Sequence, residues 1–217
     1  MSRLSVWLKK IAKKRVATSG HDWVDLGLPS GTLWATCNVG SNIPEGYGDH
    51  FAWGETESKD TYIYKTYKYY TLRKITKYNT DTFRGLNGFT DNLIVLQPDD
   101  DAATTNWGND WCMPTKDQWE ELLDNTSYIG TAQNGVNGML FTAKNGKSLF
   151  LPASGTGWHG LGLVGKVGHY WSSSLDTDNN PYYAWGFGFQ PAKDHRLEYF
   201  MECSTRDRGQ TVRPVRK

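Results

Sequence analysis

The chain has 217 residues, 14% of them aromatic, with 23 glycines, eight prolines and a formal net charge of +1. That length holds one sizeable core and would leave a second ordinary domain cramped, and the near-neutral charge supplies no global pull toward nucleic acid or membrane. Ten Trp, twelve Tyr and eight Phe among so many glycines argue against a helical bundle and for irregular β structure.

The charge is unevenly placed. Arg3, Lys9, Lys10, Lys13, Lys14 and Arg15 give the first sixteen residues +6 with no acid, which leaves −5 for the rest of a chain whose total is +1. Leu4, Trp7, Leu8 and Ile11 share one face at helical spacing, so residues 1–20 read as a basic amphipathic helix followed by the linker Ala17-Thr18-Ser19-Gly20. Such a helix docks on a protein partner or on its own domain, or lies on a membrane surface. Its marginal stability alone in water favours a protein dock. Lys9 and Lys10 break the apolar stretch and no small-residue cleavage site follows, so no signal peptide is evident. No run approaches the ~18 apolar residues of a membrane span.

Residues 21–217 read as one α+β domain. Val24 to Leu28, the turn Pro29-Ser30-Gly31 and Thr32 to Val39 predict a hairpin, and Phe51-Ala52-Trp53 a short buried strand. Residues 56–92 are polar and rich in tyrosine (Tyr62, Tyr64, Tyr67, Tyr69, Tyr70, Tyr78) without a sustained period, which reads as a surface insertion loop. Its tyrosines either bind a ligand or pin the loop to the body by their rings, the commoner use. Pro98 to Ala103 predicts a short helix with acids in its first turn. A second helix opens at Thr115, where Gln118 completes a capping box and Trp119, Leu122 and Leu123 form the inward stripe. Asn134-Gly135-Val136-Asn137-Gly138 precedes the strand pattern Met139 to Ala143, and Asn145-Gly146 is a hairpin signal between it and Ser148 to Leu151. A Gly-rich loop at 154–168 precedes the last third of the chain.

There, Ala184-Trp185-Gly186-Phe187-Gly188-Phe189-Gln190 alternates with the period of a strand, so Trp185, Phe187 and Phe189 are expected to point inward. Gly186, Gly188 and Gln190 point the other way. Glycine inside a strand marks close approach by another backbone or a ligand, so this stripe is either a binding face or relief of crowding within the protein.

Catalytic chemistry finds little support. Cys37, Cys112 and Cys203 lie far apart, without zinc or redox spacing, and are expected to be buried as small hydrophobes. His21, His50, His159, His169 and His195 are dispersed, and no Ser-His-Asp order, phosphate loop or dinucleotide fingerprint occurs. Arg206, Arg208, Arg213, Arg216 and Lys217 are offset by Glu198, Glu202 and Asp207 and are expected at strand ends, solvated or paired, which speaks against nucleic acid.

Five blocks in order carry a likeness: Asp25 to Gly40, Tyr47 to Glu55, Ala102 to Leu123, Tyr170-Trp171-Ser172-Ser173-Ser174 and Val212-Arg213-Pro214-Val215-Arg216. Together they resemble the FISUMP (major paralogous) domain, common in gut Bacteroidetes. The resemblance implies a C-type-lectin-like fold with two helices around a twisted, mostly antiparallel sheet, a fold shared with formylglycine-generating enzymes and with the variable proteins of diversity-generating retroelements. By the same likeness the function is non-enzymatic ligand binding or display at a C-terminal, diversified recognition surface at a cell surface or on a virion. Its ligand is a protein or glycan on another cell or particle. The ligand-binding residues it implies between the Trp171 and Arg213 blocks are Tyr182, Tyr183, Gly186, Gly188, Gln190, Lys193, Asp194, His195, Arg196, Glu198, Phe200, Glu202, Ser204, Thr205 and Asp207, joined by Trp158 and His159. Gln97-Pro98-Asp99 and Trp107 to Asp110 are similar to the calcium and sugar elements of calcium-dependent lectins, but Gly108 splits the second and the spacing is short, so no metal or other cofactor is expected. The alternatives are an oxidoreductase of the formylglycine-generating type, which wants closely placed thiols that Cys203 lacks, and a structural subunit of a surface or virion assembly.

Overall fold

A computed structural model of the chain describes residues 20–178, 180–191 and 197–216. The expected N-terminal helix and Lys193, Asp194, His195 and Arg196 lie outside the described residues. The strands are β1 (Trp23–Asp25), β2 (Leu33–Ala35), β3 (His50–Phe51), β4 (Tyr70–Thr71), β5 (Lys74–Ile75), β6 (Trp111–Cys112), β7 (Thr126–Gln133) and β8 (Val136–Ala143). They continue as β9 (Ser148–Pro152), β10 (Thr156–Gly157), β11 (Leu161–Gly162), β12 (Gly168–Leu175), β13 (Tyr183–Pro191), β14 (Leu197–Thr205), β15 (Gln210–Thr211) and β16 (Val215–Arg216). The helices are α1 (Ala102–Trp107) and α2 (Lys116–Asn125). The architecture is α+β, with mostly antiparallel sheets and few helices.

The central sheet has the order β14-β13-β12-β15-β3. Its one parallel pairing is β12 with β15. Successive residues of a strand face opposite sides, and each side here has its own core. Tyr170, Phe187 and Phe189 join Trp34, Trp119 and Phe141 on one side, while Trp171 and Ala184 join Trp53, Trp111 and Met113 on the other. The buried indoles also complete the hydrogen bonding of irregular backbone. Trp171 Nε1 donates to Phe51 O and Trp53 Nε1 to Ser172 O, both at 2.8 Å.

Local signals set several elements. Thr115 caps α2 and Gln118 reaches back, with Gln118 N donating to Thr115 Oγ1 at 3.2 Å and Thr115 N to Gln118 Oε1 at 2.9 Å. The first expected hairpin forms but is shorter, with three residues in each of β1 and β2. The short helix expected from Pro98 forms in two pieces, a 3₁₀ turn at Pro98–Asp100 with Asp99 and Asp100 in its first turn, then an α-helix. Asp101 is the N-cap of α1, accepting from Ala103 N and Thr104 N at 2.8 and 3.0 Å, and its other oxygen takes Met113 N at 2.8 Å. Strand β7 departs from expectation. It pairs with β8 across Asn134-Gly135, both at positive φ, over residues where no strand is expected from the sequence.

Two arginines expected in solvent are instead interior. Arg213 is fully buried, donating to Asn38 Oδ1 at 2.8 Å and Ala35 O at 3.1 Å. Burial pushes its guanidinium down to about 10, so it stays charged at neutral pH. Arg206 is 2% exposed and sits among the rings of Trp53, Tyr67 and Tyr78, within 4.9 to 5.9 Å of their centroids. Its donors go to Tyr67 Oη (2.8 Å), Tyr78 O (3.1 Å), Pro181 O (2.9 Å) and Lys77 O (3.0 Å). One side chain from the end of β14 thus ties the 56–92 loop to the 176–182 turn.

That loop is anchored rather than free. Tyr62 donates to His50 O and Tyr67 to Trp53 O, while Tyr69 and Tyr78 both donate to the buried carboxylate of Asp100. Lys77 pairs with the same carboxylate and Lys68 approaches it at 3.3 Å. Burial alone would raise the Asp100 carboxyl, but the Lys77 ammonium and the two tyrosine hydroxyls outweigh it and hold it at about 2.

Because the folded value lies below the ordinary 3.8, this stabilisation is present above pH 4 and is lost as pH falls toward 2. The loss expected is on the order of 2 kcal/mol. In Asp100→Asn that part of the acid limb of a urea-denaturation series should flatten. An acid limb identical in both proteins would contradict the assignment.

Candidate functional site

The anchored loop and the end of the central sheet enclose a cleft of about 440 Å³. From the loop come Tyr64, Tyr70, Ile75 and Arg84, from the 180–183 turn Asn180, Tyr182 and Tyr183, from the 205–208 turn Thr205, Asp207 and Arg208, and from the end of β10 Trp158. Arg206 forms part of its floor.

Each wall has a local cause. Asn180 makes a side-chain turn, its Oδ1 accepting from Tyr182 N at 3.0 Å, and this places the two tyrosines where the chain enters β13. Tyr182 Oη then donates to Arg73 O at 3.0 Å, and the Tyr70 ring packs edge-on against it at 5.5 Å. On the opposite wall Gly157 and Gly209 exchange backbone hydrogen bonds of 2.7 and 3.0 Å, and Tyr62 N donates to Trp158 O at 2.7 Å. These bonds hold Trp158 at the lip, where it is 51% exposed.

Cations lie over the aromatic walls. Arg208 sits 4.0 Å from the Trp158 ring centre and Arg84 5.1 Å from that of Tyr182. The tyrosines of the 56–92 loop therefore divide by role. Tyr62, Tyr67, Tyr69 and Tyr78 are buried and anchor the loop, whereas Tyr64 is exposed and Tyr70 half-buried, both facing the cleft.

Leucines in strained backbone stand on the flanking segments. The two-residue turn between β4 and β5 is Leu72-Arg73 with φ of 47° and 63°, a conformation that ordinarily selects asparagine or glycine. Leu72 is 85% exposed. Leu163, on the loop that carries Trp158, has φ 60° and is also exposed. Left-handed backbone at a non-glycine residue is unfavourable by roughly 1 to 2 kcal/mol.

The sequence-derived site residues fall into two groups. Trp158, Tyr182, Tyr183, Thr205 and Asp207 line the cleft, and His159 is exposed beside Trp158. Gly186, Gly188, Gln190, Glu198, Phe200 and Glu202 lie along the β13–β14 pair, running away from it. Tyr183 and Gln190 are seven residues apart, about 24 Å in a strand, so the two groups do not converge on one site. Ser204 borders a smaller hollow with His169 and Arg208.

The expectation that Gly186 and Gly188 offer open surface is corrected. Both are buried, and their missing side chains make room for the protein itself. A Cβ on Gly186 would stand 2.7 Å from Tyr170 O and 3.0 Å from Gln210 Oε1, and one on Gly188 would stand 2.4 Å from the Phe200 ring. Glu202, expected to be free, instead pairs with His169 Nδ1, and Gln190 bonds Glu198 at 3.0 Å. Trp185, expected inward with Phe187 and Phe189, is half-buried with Lys116 over its ring at 4.0 Å. Residues missed by sequence reasoning are Arg84, Arg208 and Asn180, together with the cleft-facing share of the loop tyrosines. The Asn180-Pro181 turn signal was available, while the arginines carry no local signature.

Cys203 does not support thiol chemistry. Burial, with the Asp176 carboxylate beside it, pushes its thiol up to about 12, so the nucleophilic thiolate is scarce at neutral pH. No protein-family model, no curated protein and no solved structure matches the chain.

Since backbone lies against Gly186, Gly186→Ala should lower stability by about 2 kcal/mol through overpacking. Gln190→Ala, at an exposed position on the same face, should stay within about 0.5 kcal/mol. Urea denaturation of the two variants compares them, and equal effects would contradict the packing described.

Proposed function

We propose that this chain is a noncovalent recognition module that binds a protein partner at the aromatic cleft, on a scaffold of the C-type-lectin-like kind expected from the FISUMP resemblance. The observation that carries the reading is the joint display of Trp158, Tyr64, Tyr70 and Tyr182 with arginines stacked on two of them. Tyrosine, tryptophan and arginine dominate the energetics of protein interfaces because each combines a large apolar face with a polar tip.

Exposed leucines favour a protein over a glycan. Leu72, Leu161 and Leu163 offer aliphatic surface that a sugar's hydroxyls match poorly, and two of them sit in unfavourable backbone conformations. A sequence that accepts such strain to expose apolar side chains is displaying them. The cleft, about 440 Å³ and partly open, admits a side chain or a short peptide segment.

Selection of a displayed random-peptide library on the protein tests this reading. Binders are expected whose affinity falls about thirtyfold or more in Trp158→Ala and in Tyr182→Ala. Lys144→Ala, on the exposed β8–β9 turn, should change nothing. Thermal melting of each variant establishes that it is folded. Peptides insensitive to both cleft substitutions, or no peptides at all, would overturn the proposal.

A further inference from the structure

Three guanidinium groups surround this one cleft, and Asp207 is the only carboxylate among its lining residues. Their pairing within the protein is incomplete. Arg206 is buried at the floor and spends its donors on a phenol and three carbonyls, so no acid neutralises it. Arg84 has one loose surface contact, Nε to Asp81 Oδ2 at 3.7 Å. Among the described residues no acceptor or carboxylate pairs with the Arg208 side chain, which lies flat on Trp158.

A buried cation with no carboxylate partner beneath an aromatic wall adds positive potential at the opening, because its own surroundings are of low dielectric. The two outer guanidiniums are already ordered by their rings. An arriving carboxylate therefore meets fork-shaped donors that lose little freedom on binding.

Resting on the reading that the cleft binds a protein, we infer that it selects an acidic segment of that partner. A glutamate or aspartate would lie between Arg84 and Arg208, and an apolar or aromatic neighbour would cover Tyr182 and Trp158. The shape also sets a direction for discrimination. A basic segment would meet the three cations and gain only Asp207, so it is repelled rather than merely unbound.

Cleft-dependent peptides from the library selection provide the probes. They are expected to be enriched in Glu and Asp. A synthetic acidic binder should bind at least about tenfold more tightly than its amide analogue, in which each Glu is replaced by Gln, at low salt. That advantage should shrink several-fold between about 50 and 500 mM sodium chloride, since exposed charges are screened over a few ångströms at the higher strength. Arg208→Gln and Arg84→Gln should each remove much of the advantage of the acidic peptide over its amide analogue. Cleft-dependent peptides that are neutral or basic, or an acid preference unaltered by both arginine substitutions, would overturn this inference and leave the protein-binding reading standing. A library without any cleft-dependent binder would overturn both.

Discussion

The arrangement depends on one buried cation. Arg206 leaves the end of β14, enters a box of Trp53, Tyr67 and Tyr78, and satisfies carbonyls from two segments that share no sheet with each other. A guanidinium can do this because its planar fork reaches several acceptors at once while its faces stack on rings. An ammonium would serve fewer partners. Removing the group would leave Tyr78 O, Lys77 O and Pro181 O without their donor, at roughly 1 to 3 kcal/mol for each acceptor left buried and unpaired. The loop and the turn so joined are two walls of the cleft, so the same contacts that fix the fold there also fix the site.

The central sheet separates support from display. Phe187 and Phe189 fill one core, while Trp171 and Ala184 fill the other, and this two-sided burial makes β12 and β13 rigid. The cleft is left to the turns at one end of the sheet, where Tyr182, Tyr183 and Asp207 come close to Trp158 and the loop tyrosines. Rigid strands fix the positions of the side chains on the turns at their ends.

Much of the frame was legible in the sequence because it rests on local chemistry. The Thr115–Gln118 capping box, the Asn145-Gly146 turn and the alternation through Phe187 and Phe189 each need only a few consecutive residues to be recognised. Strand β7 was not legible, since Gly130 and Ala132 interrupt its strand formers Thr126, Tyr128, Ile129 and Thr131 and no apolar alternation marks a buried face. The glycine stripe allowed two readings, and contacts 12 to 24 residues away decided it: Phe200, Tyr170 and Gln210 occupy the space. Five cleft residues, Trp158, Tyr182, Tyr183, Thr205 and Asp207, could be named from the sequence. Tyr64, Tyr70 and Arg84 could not, because long-range ties through Arg206, Asp100, Tyr62 and Tyr67 bring that loop to the body.

Hydrogen exchange in Arg206→Met tests the central dependence most directly, because methionine keeps apolar bulk while removing every donor. The account predicts that amides of the 56–92 loop, such as Ile75 N and Thr76 N, which now bond Arg84 O and Tyr69 O, lose protection by about a hundredfold or more. The β7–β9 sheet should keep its protection. Loop amides as slow as in the unchanged protein, or a loss spread evenly over β7–β9, would contradict it.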